Sequence, residues 1–437
     1  MNALRKNKSV CRRRPTVFTA MSGGVDSSVA ALILRERGYD VVGVYMRCYN
    51  VDGCAETDAE DARRVAECLG IPFYVWDFEE EYKQRVVNYM IEGYRKGLTP
   101  NPDVMCNKEI KFGLFLRRAR EAGAEYVATG HYVRKLYFPK TALHISQAET
   151  SPSHPSSNLP QDKEQSCQSS NSFRQAEYSY GLGTAKDSSK DQSYFLWTLT
   201  QEQLRHCLFP IGDYLKTEVR ELARKAGLPT AEKKDSQGIC FLGKVTLADF
   251  LKQYIPEMRG DVITATGEKI GEHNGAHFYT FGQRRGIGTL KHEKGTNTHV
   301  PLYVVGKDIA ANTVMVAAGK DNPALYRSEI RLTEVNFIRP LDFIIRANDG
   351  IKVLARVRYR QPLASAHLRL STNSEFIADK RIGTARAHSK QIHYSLIFDR
   401  PQKFVAPGQS AVLYSESGEL LGGGVISAPF SHIDSET

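Results

Sequence analysis

The residues best suited to chemistry lie in three separated stretches: Ala20-Met-Ser-Gly-Gly-Val-Asp-Ser-Ser28, Asn101-Pro-Asp-Val-Met-Cys106, and Lys234-Asp-Ser-Gln-Gly-Ile-Cys240. In the first, Gly23 and Gly24 let the backbone turn tightly and expose its amide hydrogens, while Ser22, Ser27 and Ser28 add hydroxyl donors. The apolar run Thr16 to Met21 before it reads as a buried strand, and Ser28 to Arg37 after it as a helix stopped by Gly38. A strand, a glycine turn and a helix N-terminus together make an anion site. The spacing is not GxxxxGK[ST] and no Lys follows the glycines, so this is a different phosphate loop. In the second stretch Pro100 and Pro102 stiffen the approach to a helix expected near Asn107. Asp103 and Cys106 would then sit near its N-terminus, where a thiol loses its proton more readily; Lys108 and Lys111 add positive charge. A small buried cysteine is the other reading. In the third stretch Gly238 and Gly243 allow a loop with Cys240 at its tip. Two such cysteines beside a phosphate loop point to thiol chemistry on an activated carbonyl.

The elements that must position these residues follow from periodicity. From Thr16 to about Lys135 strands and helices alternate. Asp40 to Arg47 and Pro72 to Phe78 read as strands. Thr57-Asp-Ala-Glu60 reads as a capping box ahead of Ala62, Val65, Ala66 and Leu69 at helical spacing. Glu79 to Lys96 and Ile110 to Ala122 read as helices, and Tyr126 to Lys135 as a strand broken by Gly130-His131. This pattern predicts an α/β domain with a parallel sheet, whose ligands sit at the carboxyl ends of the strands. Residues 139–189 are rich in Ser, Gln, Asn and Pro without periodicity and read as a disordered insertion. Beyond about Gly260, short strands between Gly, Asn and Asp suggest a small β-barrel. Along Lys352 to Arg360, alternation sets Val353, Ala355, Val357 and Tyr359 on one face and Arg356, Arg358 and Arg360 on the other. The second face is either solvated or phosphate-binding.

The chain has 437 residues, enough for two or three domains, and carries 59 Lys+Arg against 49 Asp+Glu. A net charge of +10 suits a polyanionic partner such as RNA. No apolar run approaches the length of a membrane-spanning helix. The eight cysteines are scattered and form no CxxC pair, which argues against a secreted disulfide framework and gives little support to a zinc site. The first fourteen residues hold six Lys or Arg and no acid. They read as a short mitochondrial presequence or a basic arm, so a mitochondrial location is expected, with a cytoplasmic one as the alternative.

SGGVDS resembles the PP-loop of ATP pyrophosphatases, enzymes that release pyrophosphate and leave AMP on their substrate. Together with NPDVMCNKEIKF, ATGHYVR, KDQSYFLWTL, KKDSQGICFLG, YTFGQRRGIG, RYRQP, PGQSAVLY and LGGGVI, in that order, it makes the chain similar to the tRNA-specific 2-thiouridylases. The resemblance runs from Val17 to Ile426. It implies a Rossmann-like PP-loop domain of the adenine nucleotide alpha hydrolase type over 15–205, a central domain over 206–298 and a C-terminal β-barrel over 299–437. It implies ATP, with Mg²⁺, bound by Ala20, Met21, Ser22, Gly23, Gly24, Val25, Asp26, Ser27, Met46 and Gly130. Asp26 is either an ATP-site ligand or an orienter of the loop. Asn101, Pro102 and Asp103 would contact the target base. Cys106 would be the nucleophile, Cys240 the persulfide carrier, and a transient Cys106–Cys240 disulfide would form. His131, Lys190, Asp191, Gln192, Arg358, Tyr359 and Gln409 would contact tRNA, and a persulfide donor such as a cysteine desulfurase relay would supply sulfur. Tyr49 and Leu302 stand where relatives often carry Trp. An amide ligase using the same loop would need neither the paired cysteines nor the basic barrel. A non-catalytic RNA-binding protein would need no intact loop.

Overall fold

Thr16–Ala20 (β1) is apolar and forms the middle strand of a five-stranded parallel sheet. Its neighbours are Asp40–Arg47 (β2) and Tyr126–Ala128 (β4); Phe73–Asp77 (β3) and Cys207–Leu208 (β7) form the edges, in the order β3-β2-β1-β4-β7. The chain grows outward from β1 to β3, then crosses back to β4, so the order reverses between β1 and β4. Open α/β sheets bind ligands at such a reversal, where the loops after two adjacent strands diverge. The computed structural model describes residues 14–49, 55–139, 178–235, 241–243, 245–287, 289–290, 300–341, 345, 350–371 and 393–427.

Helices cover both faces of the sheet. Val25–Glu36 (α1) and Ala55–Leu69 (α2) share one apolar core with β1, β2 and Lys216–Lys225 (α8). The expected stripe Ala62, Val65, Ala66, Leu69 is buried as its spacing requires. Thr57, however, lies inside α2 and not at its N-cap. On the other face, Glu79–Tyr82 (α3), a π-helical Lys83–Val87 and Asn88–Arg95 (α4) run on continuously. So do Pro102–Met105 (α5), a π-helical Cys106–Phe115 and Leu116–Glu121 (α6). Gln201–Arg205 (α7) and Leu247–Lys252 (α9) complete the helices used below.

Two expectations about organisation change. First, Tyr178–Gly183 (β6), placed in the insertion by its polar surroundings, pairs with Arg134–Pro139 (β5) and with Glu419–Ile426 (β18). The rest of the insertion, 140–177, lies outside the described residues. Second, the domain edges at 205/206 and 298/299 separate elements that share a sheet. β7 belongs to the parallel sheet. Leu302–Asp308 (β11) and Thr313–Ala318 (β12) join Gly260–Thr264 (β8), Lys269–His273 (β9) and Thr289–Leu290 (β10) in a central sheet ordered β10-β9-β8-β12-β11. Parallel pairing of β12 with β8 is non-local, and strand composition alone does not carry it.

The last unit is a six-stranded antiparallel barrel. Tyr326–Phe337 (β13), His393–Lys403 (β16), Ala364–Ser371 (β15), Ile351–Arg356 (β14), Ser410–Tyr414 (β17) and β18 pair in that order, and β18 closes onto β13. Val353, Ala355, Val357, Leu368, Leu396 and Leu413 fill its interior, as alternation predicts.

Candidate functional site

The anion loop leaves β1 at the strand-order reversal. Gly23 has φ of 72°, and a Cβ there would lie 2.3 Å from the carbonyl oxygen of Asp58 in α2, so only glycine fits. Gly24 is the N-cap of α1. The Ser27 hydroxyl lies 3.1 Å from the Ser22 amide and donates to the Gly24 carbonyl at 3.1 Å; the Ser28 hydroxyl donates to the same carbonyl at 2.8 Å. Ser22 is exposed at the mouth, whereas Ala20, Met21 and Val25 are buried and offer only backbone. Gly130, which follows β4, packs against the loop from the other side of the reversal: a Cβ would sit 2.6 Å from the Ser27 amide nitrogen. Met46 is half-buried near the carboxyl end of β2.

Asp26 lies at the centre of a charge network. Its carboxylate accepts from the Lys216 ammonium at 2.7 and 2.8 Å and from the Tyr132 hydroxyl at 2.8 Å. Burial and the Asp26 charge hold the Tyr132 phenol far above its ordinary pKa. Lys216 also contacts Asp235 at 2.8 Å, and Asp235 accepts from Lys190 at 2.7 Å and Arg220 at 2.9 Å. Burial works to raise the Asp235 carboxyl, yet the Lys190 and Lys216 hydrogen bonds bring it down to about 2.

The Asn101 stretch starts earlier than its prolines suggested. Asn101 is the N-cap of α5, its side-chain oxygen accepting from the Val104 amide at 3.2 Å, with Pro102 in the first turn. Cys106 is therefore buried more than a turn into the helix, not at a helix start near Asn107, and the N-terminal field that would favour its thiolate is weaker than expected. Asp103 is half-buried; burial raises its pKa, and Lys111 partly opposes this. Asn107 donates to the Phe195 carbonyl, while its own oxygen is buried without a partner.

His131 ties this stretch to the loop. Its ring packs 5.9 Å from that of Phe112 and its Nδ1 lies 2.8 Å from the Thr129 hydroxyl. It is buried, and burial with the Lys111 charge lowers its pKa well below the ordinary value. Asp191 is also buried, accepting from Ser193 and from the Ala185 amide. Gln192 accepts from the Tyr132 amide.

From the barrel, Arg358 and Tyr359 follow the end of β14, so the chain turns and both reach the same neighbourhood. The Tyr359 ring packs against Phe195, centroids 4.5 Å apart and planes tilted by 50°. Arg358 lies near Tyr194, whose hydroxyl donates to the Ser410 carbonyl at 2.9 Å. Arg356 is not on a solvated face: its guanidinium is largely buried, 3.5 Å from Asp191. Gln409 donates to the Thr99 carbonyl at 2.8 Å.

The structure thus brings the anion loop, Gly130-His131, the Asn101–Cys106 stretch and three barrel residues to one end of the sheet. Cys240 lies outside the described residues; its neighbour Phe241 is buried against Tyr82 and Phe250. Among the described residues no cluster of three or more His, Cys, Asp or Glu could hold a metal, and no helix is long and apolar enough to cross a membrane. Sequence reasoning missed Lys216, Tyr132 and Asp235. The one local signal for Lys216 is a cation in the first turn of a helix, where the macrodipole disfavours it.

Comparison with known proteins accords with this geometry. Residues 15–244 match the family model described as tRNA methyl transferase HUP domain. Residues 248–318 match the tRNA methyl transferase PRC-barrel domain, and 383–426 the aminomethyltransferase beta-barrel domain. The protein named tRNA-specific 2-thiouridylase MnmA from Christiangramia forsetii is 38% identical over 94% of this chain and 99% of its own. Those of Streptococcus mutans and Bacillus pumilus are each 40% identical, over 94% and 95% of both chains. With such identity sustained through all three units, the chain belongs to the tRNA-specific 2-thiouridylase family.

Proposed function

We propose that this protein is a tRNA-uridine 2-sulfurtransferase that uses ATP to replace the C2 oxygen of a wobble uridine with sulfur. The observation that carries the reading is that Gly130-His131, at the strand-order reversal, adjoins the anion loop at Ser27 on one side and the Phe112 ring of the helix carrying Cys106 on the other. The residues present fit a nucleotide: Gly23 and Gly130 leave no room for a side chain where the loop backbone must stay open, and the Ser22 hydroxyl is exposed beside them. ATP, when bound, supplies the adenylyl group that turns the C2 oxygen into a leaving group. The loop amides, the exposed Ser22 hydroxyl and the α1 N-terminus would take up the charge of the departing pyrophosphate, with Ser27 bracing the loop through its bonds to Ser22 and Gly24. Mg²⁺ would enter with the nucleotide.

Asn101 and Asp103 suit the target base. Asn101 is held by the Val104 amide as the N-cap of α5, so its position is set before any substrate arrives. Asp103, with its pKa raised by burial, can hold or release a proton near the uridine ring, or position that ring. Sulfur would come from a persulfide on Cys240, charged by a donor such as a cysteine desulfurase relay. In one route the Cys106 thiolate attacks the inner sulfur, a Cys106–Cys240 disulfide forms, and the released hydrosulfide attacks C2. In the other, the terminal persulfide sulfur attacks C2 and Cys106 then displaces it from Cys240. Both give 2-thiouridine, AMP, pyrophosphate and one disulfide, which an external dithiol must reduce before the next turnover. The basic arm supports import into mitochondria, the alternative being a cytoplasmic enzyme; a fusion of residues 1–30 to a reporter tests this.

The test is mass spectrometry of tRNA nucleosides after incubation with ATP, Mg²⁺ and a persulfide donor. The expected product is 2-thiouridine, absent with Cys106→Ser or Cys240→Ser although both variants still bind tRNA. Full activity in either variant overturns the two-cysteine scheme. Methyluridine formed from an added methyl donor would instead favour the methyl-transfer wording of the family models.

A further inference from the structure

Residues 230–235 contact the anion loop and its surroundings at three points. The Thr230 hydroxyl donates to that of Ser28 at 3.0 Å. Lys233 pairs with Asp58 at 2.7 Å and Asp61 at 2.6 Å, and Asp58 is the residue whose carbonyl Gly23 closely approaches. Asp235 reaches Asp26 through Lys216, which contacts both carboxylates at 2.7–2.8 Å. Lys216 is the least favourable member of this set to place. Its side chain is 11% exposed, and it opens α8, where the helix dipole opposes a cation. A buried ammonium in that position is held only by its partners, so the two carboxylates and Lys216 depend on one another.

We propose that Lys216 is a positioning residue that ties the anion loop, through Asp26, to the segment leading into Cys240, through Asp235. The inference rests on the thiolation reading above. Four residues of chain separate Asp235 from Cys240, a reach of at most about 18 Å over five steps. On the far side Phe241 is locked in the apolar core. Asp235, held also by Lys190 and Arg220, is therefore a polar anchor on the approach to the sulfur carrier, and Lys216 shares that anchor with the anion loop. The tether serves to keep sulfur delivery in step with adenylation.

The charges predict opposite effects for the two partners. In Asp235→Asn, Lys216, Lys190 and Arg220 lose a counter-charge beside the anion loop, so the KM for ATP falls. In Lys216→Met, Asp26 and Asp235 face each other without the ammonium, so the KM for ATP rises. Both variants loosen the tether, so 2-thiouridine formed per pyrophosphate released should drop about fivefold or more. Lys216→Arg keeps the charge and should restore that ratio to within about twofold. The experiment measures pyrophosphate release, 2-thiouridine yield and the KM for ATP in the full-length protein with substrate tRNA. A merely structural role would lower both outputs together and leave the ratio and the direction of the ATP effect alike in the two variants; that result overturns the proposal. Should Lys216→Met fail to fold, Asp235→Asn and Lys216→Arg decide it, because an unchanged ratio in Asp235→Asn suffices to overturn it. A wild-type protein that forms no 2-thiouridine removes the thiolation reading and this inference with it. A thiolating wild type with unaffected ratios in the variants removes this inference alone.

Discussion

Gln409 donates its side-chain amide to the carbonyl of Thr99 at 2.8 Å, joining the turn before β17 of the barrel to the residue two positions ahead of Asn101. The Thr99 amide answers by donating to the Pro407 carbonyl at 2.8 Å. Gly408, with φ of 89°, lies so close that a Cβ would meet the Thr99 nitrogen at 2.9 Å. The barrel therefore sets the backbone just ahead of Asn101 directly, by a route that needs no RNA.

Gln409→Ala should then lower turnover and thermal stability together while tRNA affinity stays within about twofold. The loss of one such hydrogen bond is worth about 1 kcal/mol, or about fivefold in kcat/KM. Calorimetry alongside steady-state kinetics checks this. Weakened tRNA binding with unchanged stability would make Gln409 an RNA contact instead.

The parallel sheet and the anion loop were legible because their signals are local: an apolar strand, two glycines and a helical stripe in α2. The start of α5 was misplaced because Pro102 was read as a stiffener of the approach, although proline is favoured in the first turn after an Asn cap. β6 was hidden because its partners β5 and β18 are distant in sequence and its neighbours are polar. Alternation correctly gave the inward residues of β14 but not what lies on the other face: Arg356 meets Asp191 of the first domain, not water. The Lys216 network joins residues that are far apart in sequence, and neither periodicity nor composition carries such a pairing.

The β5–β6 hairpin narrows what the insertion can lose. Removing 140–177 and bridging Pro139 to Tyr178 with a short turn should leave folding and thiolation within about twofold of wild type. Removing 178–183 should abolish folding, because β6 pairs with both β5 and β18. Circular dichroism with a nucleoside assay distinguishes the two deletions. A collapse of the first deletion would mean that 140–177 packs on the domain.

His131 gives the fold a pH dependence of known sign. Its folded pKa lies well below 6.5 because it is buried, with Lys111 adding to the effect. Below pH 6.5 the unfolded chain binds a proton that the folded chain refuses. The stability contributed by the neutral ring is thus present above pH 6.5 and is lost as the pH falls, by about 1.4 kcal/mol per pH unit. Burial also lowers His206, His273 and His277, which steepens the same slope. His131→Phe, between Phe112 and Phe209, should remove one histidine's share of the loss between pH 6.5 and 5.5. Urea unfolding at the two pH values measures it. An equal loss in variant and wild type would mean that His131 is protonated in the fold.

Arg356 and Arg358, two residues apart, should behave as different kinds of arginine. Arg356 is largely buried against Asp191, and its Nε has no partner, so its removal leaves a buried carboxylate without its cation. Arg356→Ala should cost about 3–5 kcal/mol of stability. Because it does not face the solvent, the salt dependence of tRNA binding should not change. Arg358 lies past the end of the strand, half-buried, with its guanidinium 5.8 Å from the Phe404 ring and Tyr359 beside it. Burial lowers its pKa, but from a value so high that it keeps its charge at neutral pH. Arg358→Ala should weaken binding alike for all substrate tRNAs and reduce the slope of log K against log salt by about one phosphate contact. It should raise the KM for tRNA more than it lowers turnover, because the lost contact is uniform binding rather than transition-state binding. Titrations across a salt series, with unfolding curves for both variants, decide the matter. An unchanged slope and affinity in Arg358→Ala would take this end of the barrel out of RNA binding and leave the catalytic domain to hold the substrate.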